Sequence, residues 1–241
     1  MNAIEIRSLC KKYGTKFAVE ELSLDIKEGE LFSLLGVNGA GKTTTIKMLS
    51  CLASPTSGDA LLLGKSIAGE ENEIKKIIAV SPQETAVAPN LTVCENLMLM
   101  AGIHGFSREE SKERASALAK KFGLTEILSQ KAKTLSGGWQ RRLSIAMALI
   151  CEPKILFLDE PTLGLDVIAR SELWDIIRAL KGKITIILTT HYMEEAEALS
   201  DRIAIMKKGK LVCLGTALEI KELAGTDKFE EAFIRLVKEE I

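Results

Sequence analysis

The sequence predicts an α/β domain: a central parallel sheet with helices on both faces, an antiparallel strand pair at its start, and an all-helical stretch inserted in its middle. Three observations predict this. "LFSLLG", "KILFLDE" and "ITIILTT" are short, nearly continuous apolar runs that end in polar residues. Such runs mark strands buried on both faces, with function at their carboxyl ends. "IEIRSL" and "LSLDI" instead alternate, as half-buried antiparallel strands do. From about Thr92 to Cys151 the apolar spacing is helical, with few β-branched runs.

Taken in order, the alternating strands come first and "LFSLLG" opens the layered core. The stretch "GVNGAGKTTT", Gly36 to Thr45, follows it and leads into a helix, "KTTTIKMLSCL". A strand precedes "SPQET", and three helical segments follow: "TVCENLMLMAGIHG", "REESKERASALAKKFG" and "GGWQRRLSIAMALICE". The strands "KILFLDE" and "ITIILTT" complete the core, and the tail after Gly215 is helical and too short for a second domain. The expected division is a core of residues 1–86 and 152–214, a helical subdomain of 87–151, and a helical tail of 215–241.

Composition narrows the function. The 241 residues carry 32 Lys+Arg against 33 Asp+Glu, a net charge of −1, with the basic residues scattered. No non-specific attraction to nucleic acid or to an anionic membrane surface follows. No apolar run reaches the roughly 18–20 residues of a spanning helix, and "MNAIEIRSLCKKYG" lacks a signal-peptide core. A cytoplasmic location is expected, with any membrane role exerted through a partner. Cys10, Cys51, Cys94, Cys151 and Cys213 are far apart and form no CxxC pair, so they read as free buried thiols. His104 and His191 are the only histidines, too distant from one another for a Cys/His metal site.

The Gly36–Thr45 stretch fits G-x-x-x-x-G-K-[ST] at Gly36, Gly41, Lys42 and Thr43. Glycines let consecutive backbone N–H groups turn inward as an anion nest at a positive helix end. Lys42 then reaches the β- and γ-phosphates and the Thr43 hydroxyl ligates Mg²⁺. The candidate nucleotide contacts are Gly36, Asn38, Gly39, Ala40, Gly41, Lys42, Thr43 and Thr44. A phosphate cradle alone leaves kinases, GTPases, motors and ATPases open, although the chain lacks an NKxD-type guanine-reading tetrad. At the end of "KILFLDE", Asp159 is placed to hold Mg²⁺ through water and Glu160 to polarise an attacking water. In "LSGGWQRR", Ser136 occupies an N-cap position, and Gly137 and Gly138 open a second helix terminus with bare N–H groups. One phosphate cradle has little need of a second; two copies arranged head to tail would use it.

With "GVNGAGKTT", "SPQE", "LSGGWQRR", "ILFLDEPTLGLD" and "TTHYMEEAE" in this order, essentially the whole chain resembles the nucleotide-binding subunits of ABC transporters. The resemblance implies a P-loop NTPase with a RecA-like core, an antiparallel β subdomain and a helical insertion. It implies ATP and Mg²⁺ as ligands and an ATP-hydrolysing activity. Tyr13 matches the aromatic that stacks on adenine, the alternative being an ordinary strand-end tyrosine. Gln83 matches the glutamine that joins core to helical subdomain and touches Mg²⁺ and the attacking water. Ser136 and Gly138 would contact the γ-phosphate held by an opposite protomer, and Asp166 would lie across the dimer interface. His191 would bond the γ-phosphate and position Glu160. Trp139 stands where the family usually has Gln or Met; it either alters contacts with a partner or packs against the core. His104 matches nothing and reads as a solvated loop residue.

"PTLGLD", "TTHYMEEAEALSDRIAIMKKGKLVCLGT" and "FEEAFIRLVKEE" look most like bacterial and archaeal exporters of the drug-resistance type. That likeness implies a second ATPase subunit, a homodimer being expected, and a separate integral membrane permease. It places the chain at the cytoplasmic face of the membrane, without nucleic acid as a partner. An importer subunit, or a soluble ABC ATPase without a membrane partner, is the alternative.

Overall fold

In the computed structural model, which describes residues 1–238, the chain opens with a twisted hairpin of β1 (Asn2–Tyr13) and β2 (Lys16–Lys27). The two-residue loop between them places Gly14 at φ 57°, as tight hairpin turns require of their first central residue. Both strands are far longer than the short alternating runs suggest. Ser8 (φ 46°) and Glu21 (φ 49°) mark irregularities that bend the ribbon.

Next come β3 (Leu31–Leu35), α1 (Lys42–Leu49), β4 (Ser57–Leu62), the short β5 (Lys65–Ser66), α2 (Glu71–Lys75) and β6 (Ile78–Ser81). Between β6 and the next strand lie α3 (Val93–Ile103), α4 (Arg108–Lys121) and α5 (Gly137–Ala148). Capping boxes start two of these helices: Thr92 with Glu95, and Ser107 with Glu110. The pattern S/T-x-x-E is explicit in the sequence, which is why these boundaries are sharp.

The chain returns through β7 (Ile155–Asp159), α6 (Val167–Arg178), β8 (Thr185–Thr190) and α7 (Met193–Leu199) to β9 (Arg202–Lys207) and β10 (Lys210–Gly215). It closes with α8 (Ala217–Ala224) and α9 (Phe229–Lys238). Residues 239–241 of the expected tail lie outside the described residues. No helix among the described residues is long and apolar enough to cross a membrane.

Two sheets form among the described residues. One is antiparallel, in the order β2-β1-β4-β5; the other runs β10-β9-β3-β8-β7-β6 and is parallel except for β10. The three apolar runs are therefore its adjacent central strands. On β7, Ile155 and Phe157 face a core shared with β1, β2 and α1, while Leu156 and Leu158 face a second core shared with α3 to α6. Double-sided burial explains why these strands show no alternation. A third core, with Phe229, Phe233 and Leu236, seats α9 against Leu35, Ile203 and Ile205.

The cysteines are free, but only Cys10 is buried; the other four are half-buried, which corrects the expectation of buried thiols. Burial still pushes the Cys213 thiol up to about 11. Trp139 is half-buried on the second core with the Arg142 guanidinium 4.7 Å from its ring centre, and His104 is exposed at the end of α3.

Candidate nucleotide site

Parallel strands put their carboxyl ends on one edge, and β3, β7 and β8 deliver the P-loop, Asp159–Glu160 and His191 there. A cleft of about 610 Å³ opens at that edge, well within the range of small-molecule sites. Asn38, Gly39, Ala40, Gly41, Lys42, Thr43 and Thr44 line it, together with Tyr13, Gln83, Glu160 and His191. Gly36 lies just behind, under the loop.

Two of the loop glycines answer to neighbouring backbone. A Cβ on Gly36 would stand 2.5 Å from the Met206 carbonyl oxygen of β9, and one on Gly41 would stand 2.5 Å from the Ala18 carbonyl oxygen of β2. Gly41, at φ 107°, also caps α1 in a backbone conformation that L side chains avoid.

At the centre is a chain of charges. Lys42 Nζ donates to the Gly36 carbonyl at 2.7 Å and lies 3.1 Å from Glu160 Oε1. Glu160 Oε2 accepts from His191 Nδ1 at 2.8 Å and from the His191 backbone N–H at 3.3 Å. Lys42 and Glu160 are both about 5% exposed, so the carboxylate is held in a low-dielectric position with a cation on one oxygen and an imidazole on the other. Beside it, Thr43 Oγ1 donates to Asp159 Oδ1 at 3.1 Å, and Thr189 Oγ1 donates to the same oxygen.

Thr43 and Asp159 would supply hard oxygen donors of the kind Mg²⁺ takes. No cluster of three or more acidic, His or Cys ligands occurs among the described residues.

Other predicted residues stand elsewhere. Ser136 is the N-cap of α5 with an extended backbone, and its hydroxyl makes no capping bond. Asp166 caps α6, accepting from Ile168 N and Ala169 N at 2.9 Å each. Ser136, Gly138 and Asp166 do not line the cleft of their own chain.

The structure adds Lys16, Phe17, Ala18 and Leu163 to the lining. Phe17 is a second exposed aromatic near Tyr13, visible in "YGTKF" once a two-residue hairpin is recognised. Thr189 and Arg141 are further additions, buried behind the site.

The "ABC transporter" family model matches residues 19–163. The chain is 44% identical over 226 residues to the human phospholipid-transporting ATPase ABCA3, covering 92% of this chain and 13% of that protein. It is 42% identical over 226 residues to the daunorubicin/doxorubicin resistance ATP-binding protein DrrA of Streptomyces peucetius, covering 93% of this chain and 68% of that one. The chain thus spans a small part of the first relative and about two thirds of the second. Among solved structures, an ATP-binding subunit of an ABC transporter superposes with a TM-score of 0.86 at 30% identity, covering 98% of this chain and 100% of that one. A dimeric, post-hydrolysis ATP-binding cassette bound to ADP and Pi gives 0.80 at 28% identity, covering 88% and 98%. With its P-loop, strand-end carboxylates and LSGG helix arranged as described, the chain belongs to the ABC transporter family, as an ABC ATPase domain.

Proposed function

We propose that this chain is the ATP-hydrolysing subunit of a transporter of the exporter class, working at the cytoplasmic face of a membrane through a separate integral membrane permease. The observation that carries the reading is the Lys42–Glu160–His191 chain at the strand ends, set in a cleft to which its own Ser136 and Gly138 do not contribute.

A second copy, placed head to tail, would bring its α5 terminus to that cleft. Each site then takes its P-loop from one subunit and its Ser136–Gly138 terminus from the other. Two positive helix ends and Lys42 would neutralise charge on the transferred phosphoryl group. Glu160 would accept the proton of the attacking water and His191 would hold Glu160 and bond the γ-phosphate. Tyr13 would stack on adenine, and Asp166 would meet the facing subunit. Thr43, Asp159 and Gln83 would hold Mg²⁺, which supplies charge neutralisation at the phosphates when bound. Residues 87–151 would form the helical subdomain facing the permease, and 1–86 with 152–214 the core.

The exporter reading draws on relatives such as DrrA, a drug-resistance protein. Nucleic acid is not a partner, since the scattered basic residues offer no stripe for a phosphate backbone. The test is affinity purification of tagged Glu160→Gln protein from its native cells in mild detergent with ATP and Mg²⁺. A stoichiometric multi-helix membrane protein is expected; an intact complex with soluble partners alone would contradict the transporter reading.

A further inference from the structure

Arg141 stands on α5, five residues after Ser136, and is 3% exposed. Its Nε donates to the Pro161 carbonyl at 2.8 Å and its Nη1 to the Pro82 carbonyl at 2.5 Å. Its Nη2 donates to the Gln83 carbonyl at 3.0 Å and to the Glu160 carbonyl at 2.8 Å. These four acceptors, and the Asp159 carbonyl at 3.5 Å from Nη2, are all main-chain oxygens, drawn from the end of β7 and the segments after β6 and β7. A buried guanidinium ordinarily faces a carboxylate. Here no side-chain carboxylate lies within ion-pair distance among the described residues, and Asp159 and Glu195 act on the guanidinium through space.

The backbone that Arg141 grips is itself unusual. Glu160 has φ 48°, the left-handed region, which a residue with a side chain occupies only when its surroundings over-determine it. The Glu160 N–H donates to the Thr189 carbonyl at 3.1 Å and to its hydroxyl at 3.0 Å. The Glu160 carbonyl accepts from Arg141 and, at 3.2 Å, from the Leu163 N–H. One side of the residue is thus fixed by β8 and the other by α5. That conformation aims the carboxylate at Lys42 and His191.

We propose that Arg141 is a positioning residue for ATP hydrolysis: it locks the Glu160 and Gln83 backbones to α5, and so to the helix end that carries Ser136 and Gly138. Arg141 does not line the cleft and acts through the residues it holds. The group that activates water in one site and the helix end offered to the other site then move as one body. A subunit presents its α5 terminus in the productive direction when its own Glu160 is set. The inference rests on the composite-site reading above.

The test uses the full chain with Arg141→Lys, which keeps the charge but cannot span four carbonyls, and Arg141→Met, which keeps the bulk. ATP affinity by calorimetry should stay within about threefold of the starting protein, because the P-loop is untouched. Turnover per folded molecule should fall about 100-fold in the Met variant, the effect expected of a misplaced reacting group, with the Lys variant in between. In a Glu160→Gln background, Arg141→Met should weaken the ATP-dependent dimer by about tenfold or more.

A purely structural role predicts a lower melting temperature with unchanged turnover per folded molecule, and that result would overturn the proposal. Failure of both variants to fold would also overturn it, leaving Arg141 a packing group. If Glu160→Gln alone forms no ATP-dependent dimer, the composite-site reading fails, and the split between turnover and ATP affinity still judges Arg141.

Discussion

Glu160 and His191 meet side chain to side chain and side chain to backbone: one carboxylate oxygen accepts both the ring Nδ1 at 2.8 Å and the main-chain N–H at 3.3 Å. With Nδ1 donating to Glu160, Nε2 is the ring atom left for the nucleotide. It can donate to a phosphate oxygen only in the doubly protonated ring, and in the neutral ring it accepts a proton instead. His191 thereby orients Glu160 whatever its charge, and the proposed bond to phosphate would depend on that charge.

The other Glu160 oxygen is held by Lys42, so the two residues of the pair protect each other from burial. Lys42→Met should abolish ATP binding in calorimetry. It should also destabilise the fold by ~3 kcal/mol, the scale of leaving one buried ion without its partner. Adding Glu160→Gln should recover most of that loss in thermal melts, because the unpaired charge is then gone. Undiminished ATP affinity in Lys42→Met would count against the phosphate cradle.

Ser136 makes no capping bond with its side chain. Ser136→Arg should therefore change stability by less than about 0.5 kcal/mol. ATP binding to the monomer should persist while hydrolysis is blocked, since the bulky cation would sit where the facing subunit's nucleotide belongs. Normal phosphate release from this variant would sink the composite site.

Two aromatics, Tyr13 and Phe17, line the same end of the cleft. Loss of one base-stacking contact is worth about 1 kcal/mol at the low end. Tyr13→Ala should accordingly weaken ATP binding about fivefold. If Tyr13→Ala binds normally and Phe17→Ala does not, Phe17 is the stacking residue.

Glu195 on α7 is fully buried, and its Oε1 accepts from the Trp174 indole at 3.1 Å. Burial pushes its carboxyl above the usual range and the nearby Glu160 charge adds to the rise, outweighing the polar side chains of Thr190, Thr162 and Trp174 beside it, which lower it. The native state then holds this proton more tightly than the unfolded chain does. The group's stability contribution is full below the unfolded value near 4.3 and is lost as pH rises through the raised folded value. Glu195→Gln, neutral throughout, should raise the melting temperature more at pH 8 than at pH 5. An equal shift at both values would refute the assignment.

Much of this was legible in the sequence because the features are local. Runs such as "ILFLD" announce two-sided burial, and S-x-x-E boxes announce helix starts. The β9–β10 hairpin was not legible. Its turn places Lys208 and Gly209 at φ 49° and 85°, and a lysine in the first left-handed position gives no turn signal of the Asn-Gly kind.

The demands on Gly36 and Gly41 were half legible. Their role toward phosphate follows from the motif, whereas the Met206 and Ala18 carbonyls that exclude a Cβ come from distant strands. The sequence does not single out Arg141. One signal was available: Arg141 and Arg142 lie in the second turn of α5, near the positive end, with no acidic residue in its first turn. Cations placed against a helix dipole need another reason to be there, and for Arg141 the four carbonyls supply it.

In the mechanism proposed above, ATP is hydrolysed between two copies, with Glu160 activating water. That mechanism is tested most directly by the mass of Glu160→Gln protein in solution, measured by light scattering with and without ATP and Mg²⁺, alongside phosphate release. The expected result is turnover reduced about 100-fold or more, retained ATP binding, and a dimer that forms with ATP and dissociates when nucleotide is removed. A monomer that turns ATP over at the starting rate would contradict it.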